Sequence, residues 1–278
     1  MKQPEMDNKQ EYLRLLDLFA RVDDANEGFS SSDITHGARL LAGKFIVHAL
    51  TILHLLNDTK VQLLPSLPPM KISFVALASI EVLTIAVMEA FLIFHYVFFA
   101  PTTAEEKDYR YWSYKAAGIT EWQKLLESIS GHEQEKAEEK KALDELRNKL
   151  ESNKVFQSLD KQKKRILKGE WRLKSWREIA IDAGFSKMLA SQYRYLSGSA
   201  RSSNLSNLRM EQALINKEPE EFIQGSINTM NIVIANMIRK YCALFPRARD
   251  VLTKDLEGSN LVKQYFQIGR ELDKYMGT

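Results

Sequence analysis

Apolar residues recur along this chain with a helical period, and few turn signals interrupt them. Leu13, Leu16, Phe19 and Ala20 fall on one face of residues 8–24, which predicts a first amphipathic helix. Gly28 to Ser32 reads as a linker, and Ser32 or Asp33 offers a side-chain oxygen to cap a second helix running to about Asn57. Pro65, Pro68 and Pro69 then break the pattern. A third helix is expected over about 69–100, stopped by Pro101. Thr103 followed by Glu106 has the form of a capping box and opens a fourth helix through Trp112 and Trp122 to about Ser130.

Residues 133–151 are densely charged, and only Leu143, Leu146 and Leu150 form a seam. This reads as a solvated helix with one narrow apolar stripe, too short for a coiled coil. Ser175 and Glu178 form another capping box, Gly184 makes a turn, and Ser186 caps a helix to about Leu196. Further helices are expected at about 207–216, 219–245 and 259–276, with Pro246 closing the longest. The prediction is an all-α fold, a helical bundle with the hydrophobic helices 33–57, 69–100 and 219–245 at its centre. As domains, an N-terminal helix and linker (1–30) precede a single bundle (31–278) that carries a charged helical insertion at about 131–170.

Composition supports that reading: among 278 residues there are only 12 Gly and 7 Pro, so turns are scarce. The single cysteine, Cys242, has no intrachain partner, and no CxxC or Cys/His cluster suits zinc. A cytoplasmic location is expected, because the opening MKQPEMDNKQEY lacks a basic-then-apolar export signal. The stretch Ile72–Ala100 is long enough to cross a bilayer. Its Glu81 and Glu89 cost roughly 5–7 kcal/mol on insertion, against a similar return from its apolar residues. Ser73, Thr84, His95, Glu81 and Glu89 gather on about half of the helix circumference, which suits a buried bundle helix with a polar edge. Lys44, His48 and His54 interrupt a second span at 40–56. A core helix is therefore favoured over a membrane-anchored protein.

Glu81, Glu89 and His95 are the nearest approach to a catalytic or metal-binding group. Ferritin-like metal proteins place Glu-x-x-His on facing helices, and neither that motif nor His-Glu-x-x-His occurs here. Hydrogen-bonded core groups are the favoured reading, with an Arg or Tyr expected beside any buried glutamate. A metal-dependent or acid–base enzyme at these three residues is the alternative. Compact helical ribonucleases place an Arg four to six residues before a His, whereas Arg39 and His48 have eight between them. Nucleophile-elbow, P-loop and dinucleotide fingerprints are also missing. No cofactor is implied.

The basic stretch carries more information. Residues 154–201 hold 12 Lys/Arg against 4 Asp/Glu. Lys161, Lys163, Lys164, Arg165, Lys168, Arg172, Lys174 and Arg177 fall close together, interleaved with Trp171 and Trp176. Concentrated positive charge beside aromatic rings tracks a phosphate backbone. Within it, Trp176 to Leu196 reads as a helix-turn-helix. Ile179, Ala183, Phe185, Ala190 and Tyr193 would be buried, and Lys187, Met188, Ser191, Gln192 and Tyr195 would face a major groove.

The runs EVLTIAVMEAFLIFHYVFFAP, EEKDYRYWSYKAAGITEWQKLL and YRYLSGSARSS resemble a bacterial all-helical family of the domain-of-unknown-function kind. Its members pair a long Glu-bearing apolar helix with a Tyr-x-x-Leu-Ser segment followed by His-x-Ser. The resemblance covers roughly residues 70–205. It aligns Glu89 with the helix glutamate and Tyr193, Leu196, Ser197 and Ser203 with the later motif, while Arg201 stands in place of the His. A guanidinium stays protonated and accepts no hydrogen bond, so Arg201 cannot serve as a base. The resemblance supports the fold and implies no activity; a buried polar cluster of Glu81, Glu89, His95, Tyr193, Ser197 and Arg201 is expected, with Arg201 paired to Glu89.

The expected function is therefore that of a non-catalytic or regulatory helical protein. Nucleic acid is its first expected partner, through the basic segment. A protein partner or a second copy could instead dock on helix 133–151, and sequence-specific DNA binding through 176–196 is a further alternative.

Overall fold

The computed structural model describes residues 7–28, 32–56, 60–61, 70–71, 77–127, 131–159, 162–200, 204, 207–208, 211–212 and 219–275. The all-α architecture is as the apolar periodicity predicts. The helices are α1 (Asn8–Asp24), α2 (Asp33–Leu55), α3 (Leu77–Phe94, continued as a π turn over His95–Phe99) and α4 (Ala104–Glu127). They continue with α5 (Glu133–Ser152), α6 (Lys154–Gln157), α7 (Lys163–Leu167), α8 (Trp176–Asp182) and α9 (Lys187–Ala200). The last three are α10 (Pro219–Leu244), α11 (Pro246–Lys254) and α12 (Leu256–Tyr275). Two two-residue strands, β1 (Lys60–Val61) and β2 (Met70–Lys71), pair antiparallel with Lys60 opposite Lys71. Met70 and Lys71 thus lie in a strand and not in the helix read from 69 onward; most of 69–76 lies outside the described residues. The helix expected at 207–216 also falls largely outside them.

The chain divides into two compact units, Met1–Leu92 with Ala180–Thr278, and Ile93–Ile179. Here α1 belongs to the first unit's core, and the second unit begins well before the charged helix.

In the first unit α1 packs against α2, α10, α11 and α12. Tyr12, Leu15, Leu18 and Phe19 of α1 are fully buried. Phe19 meets Phe45 edge-on at 5.5 Å and Tyr241 at 5.6 Å, an arrangement that suits the ring quadrupoles. The Tyr12 hydroxyl donates to the Ala49 carbonyl at 2.8 Å, joining α1 to α2. Every residue of α10 from Thr229 to Ile238 is buried, polar or not. Opposite it on α12 stands Gly269, where a Cβ would lie 2.5 Å from Ile232 Cγ2. A side chain there would force these helices apart. Pro246 closes α10 as predicted, and it also occupies the first turn of α11, where its missing N–H has no partner to lose.

Among the described residues two helices are long and apolar enough to cross a membrane, where the sequence pattern suggests one: α2, with mean hydropathy 1.4, and Leu77–Phe99, with 2.1. Lys44 is one charge in the middle of α2, too little to disqualify it. Burial differs between them, at 33% of the α2 window against 56% of the other. The outer face of α2 leaves Leu40, Val47 and Leu50 exposed, so this helix is not fully central.

The second unit is built on α4 and α5. Leu143, Leu146 and Leu150, the seam read from sequence, are buried with Tyr109, Ala116, Phe156 and Ile166. Asn153 separates α5 from α6. Its side-chain oxygen accepts from the Val155 and Phe156 amides at 2.9 and 3.2 Å, and its Nδ2 donates to the Glu105 carbonyl at 2.9 Å. One residue thereby caps a helix and fixes it to α4.

Candidate functional site

The basic stretch lies in the second unit, on α7, the loop 168–175 and the start of α8. Gln162 precedes the short helix α7, and the chain then turns at Gly169, whose φ is +99°. Arg165 returns to Glu170 with Nε and Nη2 at 2.8 and 2.5 Å from one carboxylate oxygen. That guanidinium holds the Glu170 carboxyl below its ordinary range. Arg172 donates to the Lys174 carbonyl at 2.8 Å and lies 4.5 Å over the Trp176 ring. Trp171 meets Tyr96, Tyr114 and Trp176 edge-on at 5.9, 5.2 and 5.9 Å. Ser175 and Glu178 form the predicted capping box, the Ser175 amide donating to Glu178 at 2.7 Å and the Glu178 amide to the Ser175 hydroxyl at 3.2 Å.

These groups surround a cavity of about 610 Å³, whose walls include Arg165, Trp171, Arg172 and Lys174. Glu121, Glu170 and Glu178 also line it, so the positive excess is partly answered within the site. Arg165, Lys168 and Arg177 are exposed, whereas Lys163, Arg172 and Lys174 are half-buried. Lys161 and the side chain of Lys164 lie outside the described residues.

The helix-turn-helix pattern folds as α8, a turn at Gly184 with φ +94°, and α9. Ile179, Ala183, Phe185, Ala190 and Tyr193 are all buried. Ser186 caps α9, accepting from the Leu189 amide at 3.1 Å. The two free amides at the start of α9, on Lys187 and Met188, donate to the Asp273 carboxylate at 3.0 and 2.9 Å. These hydrogen bonds hold Asp273 below its ordinary pKa. Gln192, read as facing a DNA groove, donates to Thr229 Oγ1 at 2.9 Å. Thus α12 supplies a carboxylate where a reading helix would meet its ligand, and α10 takes the side chain.

Of the expected polar cluster, the structure brings Glu89 and Tyr193 together. Glu89 is half-buried and accepts from the Tyr193 hydroxyl at 2.6 Å, within the first unit. Ser197 donates to the Arg194 carbonyl of its own helix at 3.1 Å. Glu81 is half-buried on α3. His95 is buried in the second unit, its ring 5.8 Å from that of Phe99. Arg201 lies outside the described residues, and its pairing with Glu89 with it. Among the described residues no three His, Cys, Asp or Glu side chains are placed to hold a metal ion.

A larger groove in the first unit was not legible in the sequence. It measures about 1460 Å³ and runs between α9, α10 and α12 beside the start of α1. At its α1 end Glu11, only 9% exposed, accepts from the Tyr265 hydroxyl. Asn231 donates to that same hydroxyl at 3.0 Å and to the Asn8 carbonyl at 3.1 Å. Burial and the Glu11 contact both push the Tyr265 phenol up. These residues come from positions more than 200 apart, and a helical period says which face is covered without saying by what.

Comparison with protein-family models, with curated proteins and with solved structures finds no match.

Proposed function

We propose that this chain is a non-catalytic, cytoplasmic binding protein whose second unit grips the phosphate backbone of single-stranded nucleic acid. The observation that carries the reading is Arg172 lying 4.5 Å over the Trp176 ring beside the Trp171 cavity. It joins a fixed cation to aromatic surface, the pair of features that sequence-tolerant single-strand binding uses. Exposed Lys168 and Arg177 extend the positive track. The start of α9 supports this choice over a major-groove reader, since Asp273 already occupies its amides. The buried Cys242 thiol, with its pKa pushed up to about 12 by burial, suits a reducing compartment.

The test is fluorescence anisotropy with a labelled mixed-sequence single strand across a salt series. Affinity should fall as salt rises, with a log–log slope near −0.7 per contacted phosphate. Changing exposed Lys168 and Arg177 together to Glu should lower that slope by about two contacts' worth. An absence of binding even at low salt would overturn the reading.

A further inference from the structure

The first-unit groove carries features that packing alone does not require. Among the described residues that line it none is Lys, Arg or His, while three are carboxylates: Asp7, Glu11 and Glu257. Asp7 caps α1 through its carboxylate, and Glu257 lies 3.8 Å from Arg14. Glu11 is different. Among the described residues its partner is a neutral phenol, and it forms no ion pair with any of them. A carboxylate this buried ordinarily has a cationic partner. Between the polar groups the groove offers an aliphatic floor, including Leu189, Ile232, Leu261 and Ile268.

A second, independent observation is Gly225. It sits within α10 on the groove wall, and a Cβ built there meets nothing within 4 Å. Glycine inside a helix costs about 1 kcal/mol relative to alanine. Here neither φ nor crowding requires it. What its absent side chain does is leave the backbone of α10 open to whatever lies in the groove. Thr229, one turn on, is already tied to the Gly225 carbonyl at 2.9 Å and to Gln192, so the wall is held in place without a ligand.

We propose that this groove binds a linear alkylammonium, its methylenes along the aliphatic floor and an ammonium at Glu11. The chemistry is shared by a free polyamine and by lysine side chains on an extended peptide. The site is independent of the second unit's proposed role, because its ligand has the opposite charge and binds the other unit.

Isothermal titration of the full chain with spermidine, and separately with an acetylated peptide of alternating Lys and Leu, tests this. At least one probe should bind, and Glu11→Gln should weaken it about tenfold or more, the effect of losing a charge-assisted contact. Gly225→Leu, which has room in the free protein, should block the groove to the same degree while leaving thermal unfolding unchanged or raised. Glu138→Gln, a charge-matched change on exposed α5, should bind as the parent does. Binding of the peptide alone would assign the ammonium to a protein partner, and binding of spermidine to a free amine. The proposal fails if neither probe saturates by about 1 mM, or if both site variants bind like the parent.

Discussion

Arg110 in the second unit and Glu11 in the first are both about nine-tenths buried, and both lie against tyrosine. Arg110 has its counter-charge. It donates to the Tyr96 carbonyl at 2.8 Å, reaches Glu106 at 2.5 Å, and lies 4.3 Å over the Tyr96 ring. Glu106 in turn accepts from the Thr102 amide at 2.9 Å. Among the described residues Glu11 accepts from one phenol, that of Tyr265. A buried charge paired with its counter-charge fixes a fold; one without it fits a site that waits for a cation. The difference separates a structural ion pair from a candidate recognition group when burial alone would rank them equal.

The largest expected effect tests the finished pair. Arg110→Met should cost about 3 kcal/mol in chemical denaturation at neutral pH, because it strands Glu106. Burial raises the Glu106 carboxyl, but the Thr102 amide and Arg110 outweigh it and leave it depressed. A depressed carboxyl stabilises the fold above its unfolded value and loses that contribution as pH falls through the folded value. The penalty of Arg110→Met should therefore shrink in acid; a penalty independent of pH would show that packing, and not charge, is what Arg110 supplies.

Next comes the unfinished pair. Tyr265→Phe should cost about 1–2 kcal/mol by removing the one donor to Glu11. Glu11→Gln should cost less than this, because the amide oxygen still accepts from Tyr265. Were Glu11→Gln as damaging as Arg110→Met, the contrast would collapse and Glu11 would be structural.

The smallest effect concerns a third buried charge, Lys240 on α10, which lies 5.9 Å from the Phe91 ring centre. Burial and Arg239 lower its pKa to about 8, with Asp182 opposing them. Between pH 8 and the ordinary lysine range the unfolded chain holds the extra proton, so stability should rise with pH. Lys240→Met should gain about 1 kcal/mol at pH 7 and nothing above about pH 11. A gain that persists there would assign the effect to packing.

Local features were legible because they are written within one turn of helix. The Ser32 cap, the Ser175–Glu178 box and the α5 leucine seam each involve neighbours, and so do the buried residues around Gly184. The helix over 246–254 was missed because Pro246 was read only as an end, when proline also suits a first turn. Apolar content placed α2 at the centre, yet Leu40, Val47 and Leu50 point outward; hydropathy counts residues and does not find their neighbours. The groove was invisible for the same reason. Its parts, Glu11, Gln192, Gly225 and Tyr265, carry no local signature and meet only when α1, α9, α10 and α12 assemble.

Asp255 ties the chain's two ends: Arg14 reaches it at 2.7 Å and Arg21 at 2.5 Å, both from α1, while its Oδ1 accepts from the Gly258 amide at 2.9 Å. Such a clasp across some 240 residues has a bearing on the order of events during synthesis. Residues 93–179 are contiguous, so they can fold while the ribosome is still working. The first unit must wait, its opening helix without the clasp until position 255 has emerged. A nascent chain halted before that point should be protease-resistant in its middle and open at its beginning.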